Sequence, residues 1–260
     1  MEVVIVEDAA TIGELGADAV VALLARKPTA VLGLATGSSP LVVYAELIRR
    51  YDAGEVSFAG SRGFLLDEYV GLPAGHPQRY RSVIRRELEE RVDFPADAIA
   101  GPDGLADDLP AVCADYERAI TDAGGVDLQL LGVGSDGHVA FNEPGSSLSS
   151  RTRIKTLTAR TRADNERFFE PPDEVPHHVL TQGLGTIRRA EHLVLTASGT
   201  HKAAAVAAAV EGPLTASCPA SVLQLHPHAT VVVDEAAAAL LRDAEFYREV
   251  YTHKPAHQQH

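Results

Sequence analysis

Six runs of mostly apolar residues alternate with helix-length segments along the 260-residue chain. The runs cover residues 3–6, 30–35, 64–69, 127–134, 192–198 and 230–234. Because they are apolar throughout, they predict strands of a sheet that is covered on both faces. Helices between successive strands predict parallel pairing through right-handed crossovers. The expected fold is therefore α/β, a doubly wound, mostly parallel sheet with helices on both faces in a Rossmann-like three-layer arrangement.

Helix signals lie between these runs. Residues 9–26, 41–51, 79–92, 201–210 and 235–251 are predicted helices, the last two because of their alanine content. No internal repeat and no interdomain linker is evident, so residues 1–250 are expected to form one domain and 251–260 a polar tail. Ligands in such sheets bind at the carboxyl ends of strands, near a switch in strand order, which makes motifs at strand ends the most informative.

Composition limits the expected partners. The formal net charge of −13 argues against nucleic acid and against anionic membrane surfaces. No stretch approaches the roughly 18 uninterrupted apolar residues of a membrane span. The first residues lack the features of a signal peptide, and the chain has only two cysteines, Cys113 and Cys218, so a cytoplasmic location is expected. An acidic chain that binds a phosphate must do so locally, with helix N-termini and a few placed cations.

The stretch "GLATGSSP" follows the second predicted strand. Ser39 is the expected N-cap and Pro40 the first residue of the next helix. Backbone N–H groups and hydroxyls of Thr36, Gly37, Ser38 and Ser39 would then surround the positive end of the helix dipole, where an anion fits. The stretch is neither a Walker A loop nor a G-x-G-x-x-G fingerprint, so a plain strand-to-helix turn is an equal alternative.

Two cations are candidates to complete this pocket. Lys202, in "SGTHKA", is expected at a helix start just past a strand, which is a poor place for a lysine unless an anion binds there. Arg167, in "ADNERFF", is the second candidate. For each residue alone, a solvated surface charge is the alternative.

Candidate proton-transfer groups stand at the ends of two other strands. In "FLLDEY", Asp67 and Glu68 face opposite sides, so only one can enter a given cleft, as a general base or as a structural carboxylate. In "GSDGHVAFNE", Asp136 and His138 can form a proton-transfer pair with Glu143 nearby, in a loop made tight by glycines. A metal site built from these three residues, which nothing in their spacing excludes, and a structural role for His138 alone remain alternatives.

Seven segments in this order resemble the glucosamine-6-phosphate deaminase (glucosamine/galactosamine-6-phosphate isomerase) family. They are "LATGSSP", "LDEYVGL", "GVGSDGHVAFNEPGSSLSSRTRIKTLT", "LTQGLGTI", "HKA", "VEGP" and "CPASVLQLHP". The resemblance implies aldose–ketose isomerisation with deamination of D-glucosamine 6-phosphate to D-fructose 6-phosphate and ammonia, in amino-sugar catabolism. It implies neither a cofactor nor a metal.

The resemblance also assigns roles. Asp67 would be the base that takes the C2 proton, and His138 would exchange the proton that opens the pyranose ring. Asp136 and Glu143 would orient and polarise His138. The phosphate would lie among residues 36–39, Arg167 and Lys202, and residues 158–182 would form a lid.

An effector site is implied as well. Ser146, Ser147, Arg153, Lys155 and Thr156 match the residues of hexameric bacterial members that bind N-acetylglucosamine 6-phosphate between subunits. The aromatic residue expected in that site corresponds to Phe246 or Tyr247, because the C-terminal register is ambiguous. A homo-oligomer is therefore expected, a hexamer if the effector site is retained, although the family also has monomeric members.

Two rival functions stay open at this point. A 6-phosphogluconolactonase would share the phosphate loop and a histidine, but has no evident need for the base in "LDEYVGL". A non-catalytic sugar-phosphate sensor would normally carry a DNA-binding segment, whereas this acidic sequence starts directly in its first predicted strand and retains every candidate catalytic group.

Overall fold

A computed structural model describes residues 1–171 and 173–255; the remainder of the predicted tail, 256–260, lies outside the described residues. The strands are β1 (Glu2–Val6), β2 (Val31–Leu34), β3 (Arg62–Leu65), β4 (Asp67–Tyr69), β5 (Ile99–Ala100), β6 (Leu128–Leu131), β7 (Arg153–Thr156), β8 (His178–Thr181), β9 (His192–Ala197) and β10 (Ala229–Asp234). The α-helices are α1 (Ala9–Arg26), α2 (Ser38–Asp52), α3 (Tyr80–Glu87), α4 (Leu109–Asp122), α5 (Ala159–Glu166), α6 (Leu184–Ile187), α7 (Ala203–Val210), α8 (Glu235–Ala238) and α9 (Ala244–Thr252). Short 3₁₀ turns cover Glu89–Arg91, Thr200–Lys202 and Pro219–Leu225.

Within the described residues, seven strands form a parallel sheet in the order β1-β10-β9-β6-β2-β3-β5. One face packs against α1, α2 and α3, with Val20, Val43 and Ile84 in its core. The other face packs against α4, α6, α7 and α8, where Val206 and Ala237 are buried. The doubly wound three-layer α/β fold predicted from the apolar runs is confirmed.

The order of the strands reverses between β2 and β6. From β2 the chain proceeds outward through β3 to β5, then returns to place β6 on the other side of β2 and continues through β9 and β10. The loops that follow β2 and β6 therefore diverge at neighbouring carboxyl ends and leave a crevice between them. Among the described residues, no helix has both the length and the apolar character needed to span a bilayer.

The run at 64–69, predicted as one strand, divides into two strands that belong to different sheets. β3 ends at Leu65 in the parallel sheet, and β4 begins at Asp67 in a small antiparallel sheet of order β4-β8-β7. The break turns Asp67 away from the main sheet just past its carboxyl edge. A single strand through this segment was therefore the wrong prediction.

Four predicted helices differ from the observed ones. Predicted helix 79–92 is α-helical only as far as Glu87, and predicted helix 201–210 is α-helical only from Ala203. Gly37, not Ser39, is the N-cap of α2, so Ser38 is its first residue; Gly37 has a φ of 104°, which glycine adopts at no steric cost. The predicted helix 235–251 is interrupted between α8 and α9, because Glu211 accepts hydrogen bonds from the backbone N–H groups of Arg242 and Asp243, both at 2.9 Å. These N–H groups would otherwise continue the helical ladder.

Candidate active site

A cavity of about 720 Å³ opens at the crevice where the loops after β2 and β6 diverge. The predicted site residues that line it are Thr36, Gly37, Ser38, Ser39, Asp67, His138, Arg167 and Lys202. The volume lies within the range of small-molecule sites, roughly 300–1,000 Å³. The fold thus brings the proposed base, the proposed ring-opening histidine and the proposed phosphate ligands to one cavity.

Asp67 is the buried carboxylate of this cavity. Only 5% of the residue is exposed. Burial raises the pKa of Asp67 well above its ordinary value of 3.8, and the neighbouring charge of Glu68 adds to the effect. A carboxylate with a raised pKa is a stronger base, so Asp67 can accept a proton from a bound ligand.

Glu68 turns away from the cavity and holds α3 in place. Its carboxylate accepts hydrogen bonds from the backbone N–H groups of Tyr69 and Tyr80, both at 2.9 Å, and of Arg81 at 3.0 Å. The two neighbouring carboxylates therefore divide their roles, as strand alternation predicts. Glu68 fixes the first turn of α3 against β4, and Asp67 faces the ligand space.

His138 and Asp136 form a hydrogen-bonded pair. The distance from His138 Nδ1 to Asp136 Oδ1 is 2.7 Å, and the backbone N–H of His138 donates to the same oxygen at 3.1 Å. The side-chain hydrogen bond from His138 lowers the pKa of Asp136 to about 2. Because the ionised carboxylate can only accept, Nδ1 carries the proton and Nε2 is the nitrogen available for proton exchange with a ligand.

Two glycines make this arrangement possible, as the sequence predicts. Gly137 has a φ of 84° and closes a turn with its backbone N–H on the carbonyl of Gly134 at 3.0 Å. A Cβ at Gly134 would overlap the His138 ring. Gly134 therefore lets the imidazole lie directly against the backbone, where Asp136 can reach it.

Glu143 does not line the cavity in this structure. It accepts hydrogen bonds from the backbone N–H and the hydroxyl of Thr158, both at 3.2 Å, and from the hydroxyl of Thr161. Glu143 therefore ties down the first turn of α5. Within residues 1–171 and 173–255, no group of three or more His, Cys, Asp or Glu side chains is placed to hold a metal ion.

Positive charge gathers at one end of the cavity. Lys202 is half-buried, and burial, followed by the positive charge of Arg167, lowers the pKa of Lys202. These two cations and the first turn of α2, which begins at Ser38, line the same cavity. Like charges held beside a helix N-terminus favour a bound anion, while Asp164 and Asp136 offset part of the positive charge at Lys202.

Aromatic residues that the sequence analysis did not single out form another wall. Tyr69, Tyr80, Phe141 and Phe169 all line the cavity. The rings of Tyr69 and Tyr80 lie 4.8 Å apart, and Tyr80 stacks on Phe141 at 5.9 Å. This wall places aromatic surface in the cavity that also contains the Asp67 carboxylate. Tyr69 follows the carboxylates in "LDEY", so strand alternation could have indicated it.

The segment predicted as a lid has two structurally different parts. Residues 159–166 form α5, whose Arg160 donates to the hydroxyl of Ser135 at 3.1 Å in the loop after β6. Residues 178–181 form β8, the central strand of the small sheet, with Val179 and Leu180 fully buried. A moving lid would therefore comprise residues 158–177 rather than the whole predicted segment.

None of the predicted effector residues lines the cavity. Ser146 is buried, and its hydroxyl has no hydrogen-bond partner within the described part of the chain, whereas Ser147 is exposed. Arg153, Lys155 and Thr156 lie on β7, with Arg153 and Lys155 at alternate positions and hence on one face. These candidate effector residues therefore lie outside the candidate active-site cavity.

The two candidate aromatics of the C-terminal helix differ in exposure. Phe246 is 60% exposed on α9, whereas Tyr247 packs against the core of the main sheet. Phe246 is therefore the more accessible of the two.

Curated relatives match almost the entire chain. It is 64% identical over 259 residues to a glucosamine-6-phosphate deaminase of Mycolicibacterium smegmatis, covering 99% of both chains. It is 61% identical over 256 residues to the enzyme of that name from Streptomyces coelicolor, covering 98% of both chains.

Solved structures match the fold. A monomeric glucosamine-6-phosphate deaminase superposes with a TM-score of 0.90 at 39% identity, over 92% of this chain and 100% of the other. A 6-phosphogluconolactonase from Trypanosoma cruzi superposes with a TM-score of 0.74 at 20% identity, over 93% and 97% of the two chains, which shows the shared fold alone. Residues 7–233 match the family model of glucosamine-6-phosphate isomerases and 6-phosphogluconolactonases. With most of its length matched by that model, the chain belongs to the glucosamine-6-phosphate isomerase/6-phosphogluconolactonase family.

Proposed function

We propose that the chain converts D-glucosamine 6-phosphate and water to D-fructose 6-phosphate and ammonia, in the cytoplasm, as a step of amino-sugar catabolism. The observation that carries this proposal is the single cavity shared by a buried carboxylate, an Asp-paired histidine and a cluster of positive charge. The names of the close relatives support it. Both cysteines are unpaired and buried, which suits a reducing compartment.

The phosphate group of the substrate would bind at the positive end of the cavity. Lys202 and Arg167 supply charge, and the first turn of α2 supplies backbone N–H groups. With the phosphate fixed there, the sugar ring extends toward the cavity walls that carry Asp67 and His138. The binding free energy of the phosphate, which does not react, thereby offsets the entropic cost of orienting the reacting carbons.

Ring opening requires a proton to leave the C1 hydroxyl and a proton to reach the ring oxygen. His138 performs both transfers through Nε2, because Asp136 holds Nδ1–H and so fixes the tautomer. The carboxylate of Asp136, with its pKa of about 2, stays ionised and stabilises the imidazolium that forms between the two transfers. The product of this step is the open-chain aldehyde.

Isomerisation then begins at C2. Asp67 takes the C2 proton, the C2–H electron pair forms the C1–C2 double bond, and the aldehyde oxygen gains a proton, which yields an enolamine. Return of the proton to C1 gives the C2 imine. Water adds to that imine, and loss of ammonia leaves the ketone of fructose 6-phosphate.

We assign a gating role to residues 158–177. α5 contributes Thr161, Asp164 and Asn165 to the cavity lining and is tied to Glu143 through Thr158 and Thr161. Release of Glu143 from these threonines would free it to approach His138 when the lid changes position, which is the arrangement that the ring-opening role requires. Closure would also exclude water from the enolamine.

The decisive assay measures ammonia and fructose 6-phosphate together. Equal amounts of the two products, formed from glucosamine 6-phosphate by the purified chain, are expected. The rival lactonase would instead hydrolyse 6-phosphogluconolactone and release no ammonia. A sensor would bind the sugar phosphate and turn over neither substrate.

Lys202→Gln is expected to raise KM about 10–100-fold, because a hydrogen bond to a charged group contributes about 1.5–3 kcal/mol. The value of kcat should change far less, since the phosphate is remote from the reacting carbons. Steady-state kinetics measure both. Lys27→Gln is the charge-matched control, because Lys27 pairs with Asp127 at 2.8 Å, at the amino-terminal ends of β2 and β6. An unchanged KM in Lys202→Gln would contradict the phosphate assignment.

We further propose an effector site for N-acetylglucosamine 6-phosphate at Ser146, Ser147, Arg153, Lys155 and Thr156, within a homo-oligomer that would be a hexamer. Its support is the match of these residues to hexameric members and the exposed Phe246. The similarity to a monomeric deaminase supports a monomer instead of a hexamer. Sigmoidal kinetics that become hyperbolic on addition of the effector would support the site, and hyperbolic kinetics that do not change would dispose of it.

A further inference from the structure

Gln129 is a polar residue at the centre of an apolar sheet. It lies in β6 beside Gly33 of β2, and no part of it is exposed. Its Nε2 donates to the carbonyl of Leu130 at 2.9 Å, but its Oε1 has no hydrogen-bond partner among the described residues. A Cβ at Gly33 would overlap the Gln129 amide, so the two residues fit each other. A buried acceptor without a donor destabilises the fold, so this unpaired oxygen demands an explanation.

A second cavity, separate from the candidate active site, lies over this amide. It has a volume of about 240 Å³ and is bounded by α4, α6 and the loop before β6. Its volume equals that of about eight water molecules at roughly 30 Å³ each, so a ligand of about that many non-hydrogen atoms fits. Gln129 and Gln182 supply polar wall, and Ile120, Val126 and Ile187 supply apolar wall.

The charged groups around this cavity leave one positive charge in excess. They are Glu117, Arg151 and Arg189, and Arg189, which carries the excess, is exposed to solvent. Glu117 is bound by the guanidinium of Arg151, by the backbone N–H and hydroxyl of Thr152 at 2.8 and 2.6 Å, and by the hydroxyl of Thr186 at 2.5 Å. Arg151 uses Nη2 for this contact. Its Nη1 is buried and has no partner within the part of the chain that the structure describes.

Two unmatched polar atoms of opposite kind thus belong to residues of one small cavity. Gln129 Oε1 needs a hydrogen-bond donor, and Arg151 Nη1 needs an acceptor. The excess positive charge favours an acceptor that is an anion. A neutral apolar molecule would satisfy neither atom.

We propose that this cavity binds a small organic monoanion that carries a hydroxyl or ammonium group, with its anionic end at Arg151 and its donor at Gln129. The inference goes beyond the reaction proposed above and does not depend on it. D-Glycerate is a suitable probe, with one carboxylate, two hydroxyls and about seven non-hydrogen atoms, for which an ordinary ligand efficiency gives a Kd of about 1 mM.

The test is titration calorimetry with three probes on the full-length chain. D-Glycerate is expected to bind, whereas propionate, which lacks the donor, and glycerol, which lacks the charge, are expected to bind at least tenfold more weakly. Equal binding of all three, or no binding of glycerate at millimolar concentrations, would overturn the proposal.

Variants locate the binding. Gln129→Leu and Arg151→Gln are each expected to weaken glycerate binding at least tenfold. Arg118→Gln is the control, because Arg118 lies exposed on α4, paired with Asp115 and away from the cavity lining. Gln129→Leu removes an unmatched acceptor, so the variant is expected to fold, and a thermal melt checks this. If Gln129→Leu does not fold, Arg151→Gln still tests the binding site.

One further variant separates the two cavities. Glycerate binding should survive Lys202→Gln, which weakens the anion pocket of the candidate active site. Loss of glycerate binding in Lys202→Gln with retention in Gln129→Leu would place the probe in the candidate active site and overturn the proposal.

Discussion

Asp67→Asn is expected to lower kcat by about 10³-fold, within the range that a general base contributes, and to leave the Kd for the substrate within a few-fold of wild type. The asparagine keeps the size and polarity of the side chain but cannot accept the C2 proton. Steady-state kinetics and exchange of the C2 proton with deuterated solvent measure the two parts of this prediction. Turnover near the wild-type rate would refute the assignment of Asp67 as the base.

The same substitution is expected to stabilise the fold at neutral pH. The pKa of Asp67 is higher in the folded chain than in the unfolded chain, where it is near 3.8, so the folded chain binds the proton more tightly. The stability that this proton contributes is fully present below pH 3.8. It is lost as the pH rises through the pKa of the folded chain. Above that window the ionised, buried carboxylate destabilises the fold, and the neutral asparagine side chain of the variant removes this cost.

Thermal melts measure the effect. The variant should melt above wild type at pH 7, by about 2–4 °C for each kcal/mol relieved, and the difference should shrink as the pH approaches 4. Asp52→Asn, at the exposed end of α2, is the control and should melt like wild type at both pH values. A lower melting temperature for Asp67→Asn at pH 7 would contradict the raised pKa.

His138→Gln is expected to lower kcat/KM for the cyclic substrate about 10²–10³-fold, because ring opening loses its acid and base. Glutamine can still bond Asp136 but cannot exchange a proton. An open-chain analogue, 2-amino-2-deoxyglucitol 6-phosphate, needs no ring opening, so its Kd should stay within a few-fold of wild type.

Comparison of the two ligands decides the role of His138. If the analogue loses as much binding free energy as the cyclic substrate loses in transition-state stabilisation, His138 is a binding residue. The ring-opening assignment would then be wrong.

The fold could be predicted because its strongest signals are local. Apolar runs separated by helix-length segments suffice to predict a parallel sheet covered on both faces, and the strand ends then predict where the cavity lies. Helix 9–26 was predicted with its observed ends, since Asp8 caps it by accepting from the backbone N–H of Thr11 and Arg26 closes it.

What the sequence analysis missed depends on contacts between distant residues. The break between α8 and α9 follows from Glu211, about thirty residues upstream, which binds the backbone at 242 and 243. The division of 64–69 into two strands depends on β8, which pairs with β4 through a register that no local pattern reveals. The sequence of β7, Arg-Ile-Lys-Thr, does alternate polar and apolar side chains, but the sequence analysis assigned the segment only to the effector site.

The candidate site also has features that the sequence predicts and features that it does not. The juxtaposition of Asp67 and His138 in one cavity followed from the strand-end argument. The aromatic wall and the contact of Glu143 with α5 did not, because they arise from the packing of the small sheet and α5 near the crevice. The chemically reactive residues that line the cavity were therefore predictable, and the contacts that support them were not.

A crystal structure with an amino-sugar phosphate bound tests most directly whether one crevice brings the substrate to both Asp67 and His138. The phosphate should contact Lys202, Arg167 and the first turn of α2, with C2 of the hexose within proton-transfer reach of Asp67 and the ring oxygen or O1 within reach of His138 Nε2. A ligand whose phosphate binds elsewhere, or a hexose that touches only one of Asp67 and His138, would contradict the proposed mechanism.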